Sequence, residues 1–188
     1  MILAGGRSSR MGRDKAGLPF GNGTMLSHLT EVYRQNFDVA VSVGEAGRFP
    51  VGEALELVDL RPGQGPLAGL ETAFRRTEAE TVFLTATDLP FGDQALALEL
   101  VRRLGDGDAC VIRRRDGGME PLFGVYRRSC LSAAEACLDE GRRSCRALLE
   151  RVDVRWAEEA DLPGWDLDRV LQNVNTPEEY ALLFLKEK

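Results

Sequence analysis

Short β-rich runs alternate with segments of helical periodicity along most of this chain, and that alternation restricts the fold to the α/β class. The clearest strand is Thr81-Val82-Phe83-Leu84-Thr85-Ala86. Runs at 39–43, 55–58, 109–112 and 120–126 read as further strands, 152–156 as an edge strand, and Met1 to Leu3 as the end of a buried one. Apolar residues at helical spacing mark helices over 24–36, 66–76, 94–104 and 131–140, with a shorter one through Glu150. Thr176 as N-cap, Pro177 at the first helical position and Glu179 at the third fit a capping box ahead of a last helix, Tyr180 to Lys186. The pattern predicts a three-layer α/β/α sandwich with a mostly parallel sheet, formed as one domain by all 188 residues.

Charge narrows the function. The net charge of −6 argues against a nucleic-acid binder, which would show a basic face. A polyanionic ligand must then be met by a local cluster of cations. No run approaches the roughly 18 apolar residues that span a bilayer, and no signal-peptide pattern is present, so neither a membrane nor export is expected. The four cysteines form no Cys-x-x-Cys pair and there is a single histidine, His28, which argues against a Cys/His zinc site. Free thiols in a reducing, cytoplasmic compartment are the expectation. His28 falls within a helix and reads as a solvated or capping side chain, not a base.

The cations cluster at the start of the chain. Behind Leu3 and Ala4, the paired glycines Gly5 and Gly6 permit positive φ and close approach to a ligand. Successive N–H groups in such a turn can bind an anion, and Arg7, Arg10, Arg13 and Lys15 stand around it against one carboxylate, Asp14. The spacing is not that of a P-loop, since five residues separate Gly6 from Gly12 and Arg13-Asp14-Lys15 follows. Asp88 follows the clearest strand directly, at the end of a sheet strand where open α/β folds bind ligands. A carboxylate facing a phosphate loop suits Mg²⁺, which takes one or two carboxylates plus substrate phosphates. Pro66 sits well at the first position of the helix to about Arg76, and Gly69 inside that helix points to a close approach by backbone or ligand.

The run Leu3-Ala4-Gly5-Gly6-Arg7-Ser8-Ser9-Arg10-Met11-Gly12-Arg13-Asp14-Lys15 resembles the signature of nucleotidyltransferases, most closely that of the molybdenum cofactor guanylyltransferases. Gly65-Pro66-Leu67-Ala68-Gly69, Asp88-Leu89-Pro90, the segment Pro121 to Tyr126 and Asn173-Val174-Asn175-Thr176-Pro177 resemble the family's further motifs, so the likeness covers nearly the whole chain. It implies a Rossmann-like nucleotidyltransferase fold and transfer of GMP from GTP to molybdenum-loaded molybdopterin, with pyrophosphate released. It further implies that Leu3, Ala4 and Asp59 lie along the nucleoside and that the Gly5-Gly6 backbone cradles the triphosphate. Arg10 and Lys15 would stabilise its charge, Gly65, Pro66, Leu67 and Gly69 would flank guanine, and Asp88 would hold Mg²⁺. Asn173, Asn175, Arg142 and Arg143 would meet the molybdopterin-type acceptor, and molybdenum-cofactor delivery proteins would be further partners. In two places the chain departs from the family pattern: the strand before the first loop has only three residues, and Ser42-Val43-Gly44-Glu45 stands where the family often carries an asparagine. A related transferase using CTP or another phosphorylated acceptor is the nearest alternative, and a non-catalytic nucleotide-binding protein the next.

Overall fold

The computed structural model of the chain describes residues 1–4 and 14–183. The first strand, β1 (Ile2–Leu3), is followed by the two-residue strands β2 (Pro19–Phe20) and β3 (Gly23–Thr24), helix α1 (Met25–Tyr33) and strands β4 (Ala40–Val43) and β5 (Leu55–Val58). Next come α2 (Pro66–Arg76), β6 (Thr81–Ala86), α3 (Gln94–Leu104), β7 (Ala109–Arg113) and β8 (Met119–Arg127). The chain continues through α4 (Leu131–Asp139), α5 (Cys145–Leu149), β9 (Val154–Glu158), α6 (Leu167–Val170) and α7 (Pro177–Leu183).

Seven strands form one sheet in the order β5-β4-β1-β6-β8-β7-β9, while β2 and β3 pair apart from it. β8 runs antiparallel to both its neighbours; the other six strands run one way. The chain leaves β1 for β4 and β5 on one side, then returns to place β6 on the other. The order therefore reverses at β1, and open α/β sheets bind ligands beyond the carboxyl ends of the strands at such a point.

Alternation along the central strands sends their side chains to opposite faces. Phe83, Cys110, Ile112, Phe123 and Val125 join α1 and α3 in one apolar layer. Val82, Leu84, Ala109, Val111 and Tyr126 join α2, α4 and α5 in the other. These are the three layers expected. Phe83 anchors the first, with ring centroids 5.3 Å from Tyr33, 5.7 Å from Phe37 and 5.0 Å from Phe123. All four cysteines are free and buried. Among the described residues no helix is long and apolar enough to cross a membrane.

Several boundaries differ from the expectation. α1 stops at Tyr33, where Arg34-Gln35-Asn36 turns the chain and the Phe37 N–H donates to the Tyr33 carbonyl at 3.0 Å. β9 begins two residues late, because the Asp153 carbonyl accepts from the N–H groups of Asp108 and Ala109 before the ladder with β7 starts at Val154. The charged turn between β7 and β8 closes as a hairpin, with the Arg114 N–H donating to the Gly118 carbonyl and Gly117 at φ 85°. α6 was not foreseen, although Asp166 caps it by accepting from the Arg169 N–H at 3.1 Å. The last helix starts at Pro177 and is described to Leu183; residues 184–186 of its expected span lie outside the described residues.

Replacing Phe83 with Ala removes the ring that ties α1 to β8. Unfolding in urea is expected to show a loss of about 3–5 kcal/mol, against no more than ~0.5 kcal/mol for an exposed control such as Leu98→Ala.

Candidate active site

β1 and β6 end side by side. Ile2 and Leu3 pair with Thr85 and Ala86, and the Thr87 N–H donates to the Leu3 carbonyl at 3.2 Å. The carboxyl ends of β1 and β6 are thereby set next to each other. Lys15 opens a short 3₁₀ turn, Lys15–Gly17, and its ammonium donates to Asn175 Oδ1 at 2.8 Å. Asn175 is held from both sides. The N–H of Val174 donates to the Asp88 carbonyl at 2.9 Å, and the Glu179 carboxylate accepts from the N–H groups of Asn175 and Thr176 at 2.6 and 3.1 Å. Thr176 Oγ1 accepts from the Glu179 N–H at 3.2 Å, which completes the expected capping box. Three segments distant in sequence, around Lys15, Asp88 and Asn175, thus converge.

The Asp88 carboxylate is the electrostatic centre of this cluster. Its Oδ1 is buried and finds no hydrogen-bond donor. Burial pushes its pKa above the usual aspartate range, while the nearby charge of Lys15 acts in the opposite direction. An orphaned carboxylate oxygen beside a lysine suits a divalent cation that completes its shell with phosphate oxygens. Among the described residues no group of three or more His, Cys, Asp or Glu could hold a metal without such help.

The other half of the site lies across β4 and α2. The Ser42 hydroxyl donates to Asp59 Oδ1 at 2.5 Å, and burial raises the Asp59 pKa, partly offset by that hydrogen bond. Gly69 explains itself here, though not as expected: a Cβ on it would sit 2.4 Å from Leu3 Cδ2 and 3.0 Å from Ser42 Oγ. The close approach is made by these two side chains, which lets α2 settle onto β1 and β4. Gly65 adopts φ 78°, and a Cβ there would lie 3.0 Å from the Arg143 carbonyl. That carbonyl also accepts from the Leu67 N–H at 3.3 Å.

The remaining expectations fall out unevenly. Lys15, Asp88 and Asn175 come together, and Leu3, Asp59 and Gly69 meet through Ser42, which sequence reasoning did not single out as a site residue. Gly5, Gly6 and Arg10 lie outside the described residues. Asn173 is exposed, Arg142 pairs with Glu150, and the backbone of Arg143 abuts the start of α2. His28 is neither solvated nor a cap. Its Nε2–H donates to the Pro90 carbonyl at 3.1 Å, its ring packs 4.6 Å from Phe20, and burial lowers its pKa, so it ties the Asp88 turn to α1.

Residues 1–156 match the family model of a MobA-like NTP transferase domain. The chain is 36% identical to a probable molybdenum cofactor guanylyltransferase of Carboxydothermus hydrogenoformans, over 97% of this chain and 92% of that protein. It is 34% identical to the molybdenum cofactor guanylyltransferase of Pseudomonas entomophila, over 95% and 93% respectively. In fold it resembles the crystal structure of molybdopterin-guanine dinucleotide biosynthesis protein A from Archaeoglobus fulgidus, with a TM-score of 0.83 at 24% identity, covering 100% of this chain and 98% of that one.

The raised Asp88 pKa has a consequence for stability. A carboxyl whose pKa is higher folded than unfolded supports the fold while protonated, below the ordinary aspartate value of about 4, and that support is lost as pH rises through the folded value. Asp88→Asn removes the buried charge. The ligand-free variant is therefore expected to melt above the parent at neutral pH, with the gap closing towards about pH 4. Thermal unfolding across that range checks this; a gap independent of pH would show that burial of the charge is not its cause.

Proposed function

The chain belongs to the MobA-like NTP transferase family, and on that footing we propose that it transfers GMP from GTP to the phosphate of molybdenum-loaded molybdopterin, releasing pyrophosphate. The observation that carries this reading is the convergence of the Lys15 ammonium, the Asn175 amide and the unpartnered Asp88 carboxylate oxygen at the sheet's switch point. Kinship to molybdenum cofactor guanylyltransferases over nearly the full chain supplies the substrates. Four buried free thiols support a reducing, cytoplasmic setting.

The chemistry asks little of proton transfer. A phosphate monoester oxygen is already anionic at neutral pH, so it attacks the α-phosphorus of GTP without a general base. The bond from that phosphorus to the β-phosphate oxygen breaks, and the electron pair leaves with pyrophosphate. Catalysis is then positioning and charge stabilisation. Lys15 offsets the charge that grows on the triphosphate, and Asn175 fixes the direction of its side chain. Asp88 is the residue that would hold Mg²⁺, which when bound neutralises phosphate charge at the reacting centre. The Ser42–Asp59 pair and the start of α2 form the nucleoside side. The glycine loop and Arg10 are assigned to the triphosphate by their position behind β1.

Lys15→Ala is expected to lower kcat by about 10²-fold or more while GTP affinity changes by only a few-fold, because the interaction strengthens in the transition state. Pyrophosphate release from GTP, molybdopterin and Mg²⁺ is the assay. Preference for CTP in the parent would overturn the assignment of the base, and undiminished turnover in the variant would overturn the role of Lys15.

A further inference from the structure

The segment that joins β5 to α2 contains Asp59 and leads to the start of α2, yet it has little of its own to hold it. The chain leaves β5 at Asp59 and passes through Arg61-Pro62-Gly63-Gln64 and Gly65 before α2 opens at Pro66. Pro62 as the second residue and Gly63, at φ 75°, as the third fit a type II turn, closed by the Gln64 N–H donating to the Arg61 carbonyl at 3.2 Å. Gly65 also has positive φ. Residues of this kind set the shape of the turn but not the direction in which it lies.

Three contacts with distant residues supply the direction. The Asp59 N–H donates to the Val43 carbonyl at 2.9 Å, and the Leu60 N–H to Thr72 Oγ1 at 3.0 Å. The third is the Arg61 side chain, the only one of residues 60–65 with a hydrogen bond or ion pair among the described residues. Its Nε–H donates to Glu71 Oε1 at 3.1 Å and its Nη1–H to Asp139 Oδ1 at 2.6 Å. The two carboxylates are unlike. Asp139 ends α4 with its side chain 66% exposed, where an ion pair is worth little. The Glu71 side chain, inside α2, is 4% exposed, and its Oε2 is buried without a donor. Burial raises the Glu71 pKa, with the charge of Arg61 acting the other way. A buried carboxylate with one cationic partner holds that partner firmly, because separating them leaves a charge uncompensated away from water.

We propose that Arg61 and Glu71 are positioning residues for the nucleotide: by fixing the first residue of the turn, their pair holds segment 59–65, and Asp59 with it, in its binding form before GTP arrives. The proposal rests on the guanylyltransferase reading for its ligand. Both residues act through Asp59 and the turn, not on the reacting atoms. A loop rich in glycine and proline that is already ordered does not have to be ordered on binding, so the gain falls on nucleotide affinity and not on the rate of the chemical step.

Binding of a fluorescent GTP analogue, turnover with GTP and molybdopterin, and amide hydrogen exchange of the ligand-free chain test this together. Arg61→Ala is expected to weaken nucleotide binding and raise the GTP KM about tenfold, with kcat within about threefold and the acceptor KM within about twofold of the parent. Arg61→Lys should recover part of the loss. Glu71→Gln keeps an acceptor without the charge and should weaken nucleotide binding by less, about threefold, while Asp139→Asn stays within about twofold of the parent. In Arg61→Ala the amides of Leu60 and Gln64 should exchange about tenfold faster or more while that of Leu84 in β6 is unchanged, which separates a released segment from a weakened fold. Nucleotide affinity equal to the parent's in Arg61→Ala, or lost stability with no change in the GTP KM, would overturn the positioning role and leave a structural ion pair. A parent that binds GTP but releases no pyrophosphate with molybdopterin would overturn the reaction, and the positioning role then stands or falls on the binding series alone. A parent that binds no GTP overturns both.

Discussion

Two residues of strand hold this site in place. Ile2 and Leu3 pair on one side with Val41 and Ser42 and on the other with Thr85 and Ala86. Because β1 is the strand at which the order of the sheet reverses, its carboxyl exit opens at the switch point where open α/β sheets bind ligands. Lys15 comes from that exit, Asp88 from the parallel exit of β6, and Asp59 from that of β5. Parallel pairing is what sets these exits at one edge, and the helices α2 and α3 that follow carry the chain away to the two faces. The short β1 is buried between its neighbours, with Ile2 1% exposed and Ala4 3%, so its position is fixed by packing as well as by ladder hydrogen bonds.

Burial has opposite meanings at the two ends of the molecule's polar inventory. Many of the described arginines form ion pairs at the surface, each worth little in water. Asp88 is different, for it loses hydration without gaining a donor at Oδ1. A buried carboxylate oxygen held this way is costly to the fold, and such costs cluster at sites of chemistry. Lys15 is kept close without forming a tight pair with Asp88, because its ammonium is bound to the neutral amide of Asn175. A direct ion pair would have quenched both charges. The asparagine holds the lysine in position without neutralising its charge.

The same logic orders the two sides of the crevice. Gly69 lets α2 descend until Leu3 and Ser42 fill the space a Cβ would take, and Ser42 in turn fixes Asp59. On the opposite side the segment after α6 meets Asp88 through the Val174 N–H. Arg143 and Arg146 lie three residues apart across the start of α5, one with its carbonyl on the first turn of α2 and the other lining a cavity by Glu120. A single short segment thus links the start of α2 to that cavity.

The amino-acid order alone determined the alternation of strands and helices, the capping box at Thr176, the strand-end position of Asp88 and the cationic character of the opening segment, because each depends on residues close in sequence. It also carried the motifs whose likeness named the family. It left undecided which strands are neighbours, that β8 is reversed, and that α6 exists at all, since a four-residue helix has too little periodicity to register. It could not show that Asn175 serves Lys15, that His28 bonds Pro90, or that Gly69 accommodates Leu3 and Ser42. Those facts join residues 160, 62, 66 and 27 positions apart. Contacts at such separations are set by the packing of the two apolar layers against the sheet, and only the tertiary structure decided them.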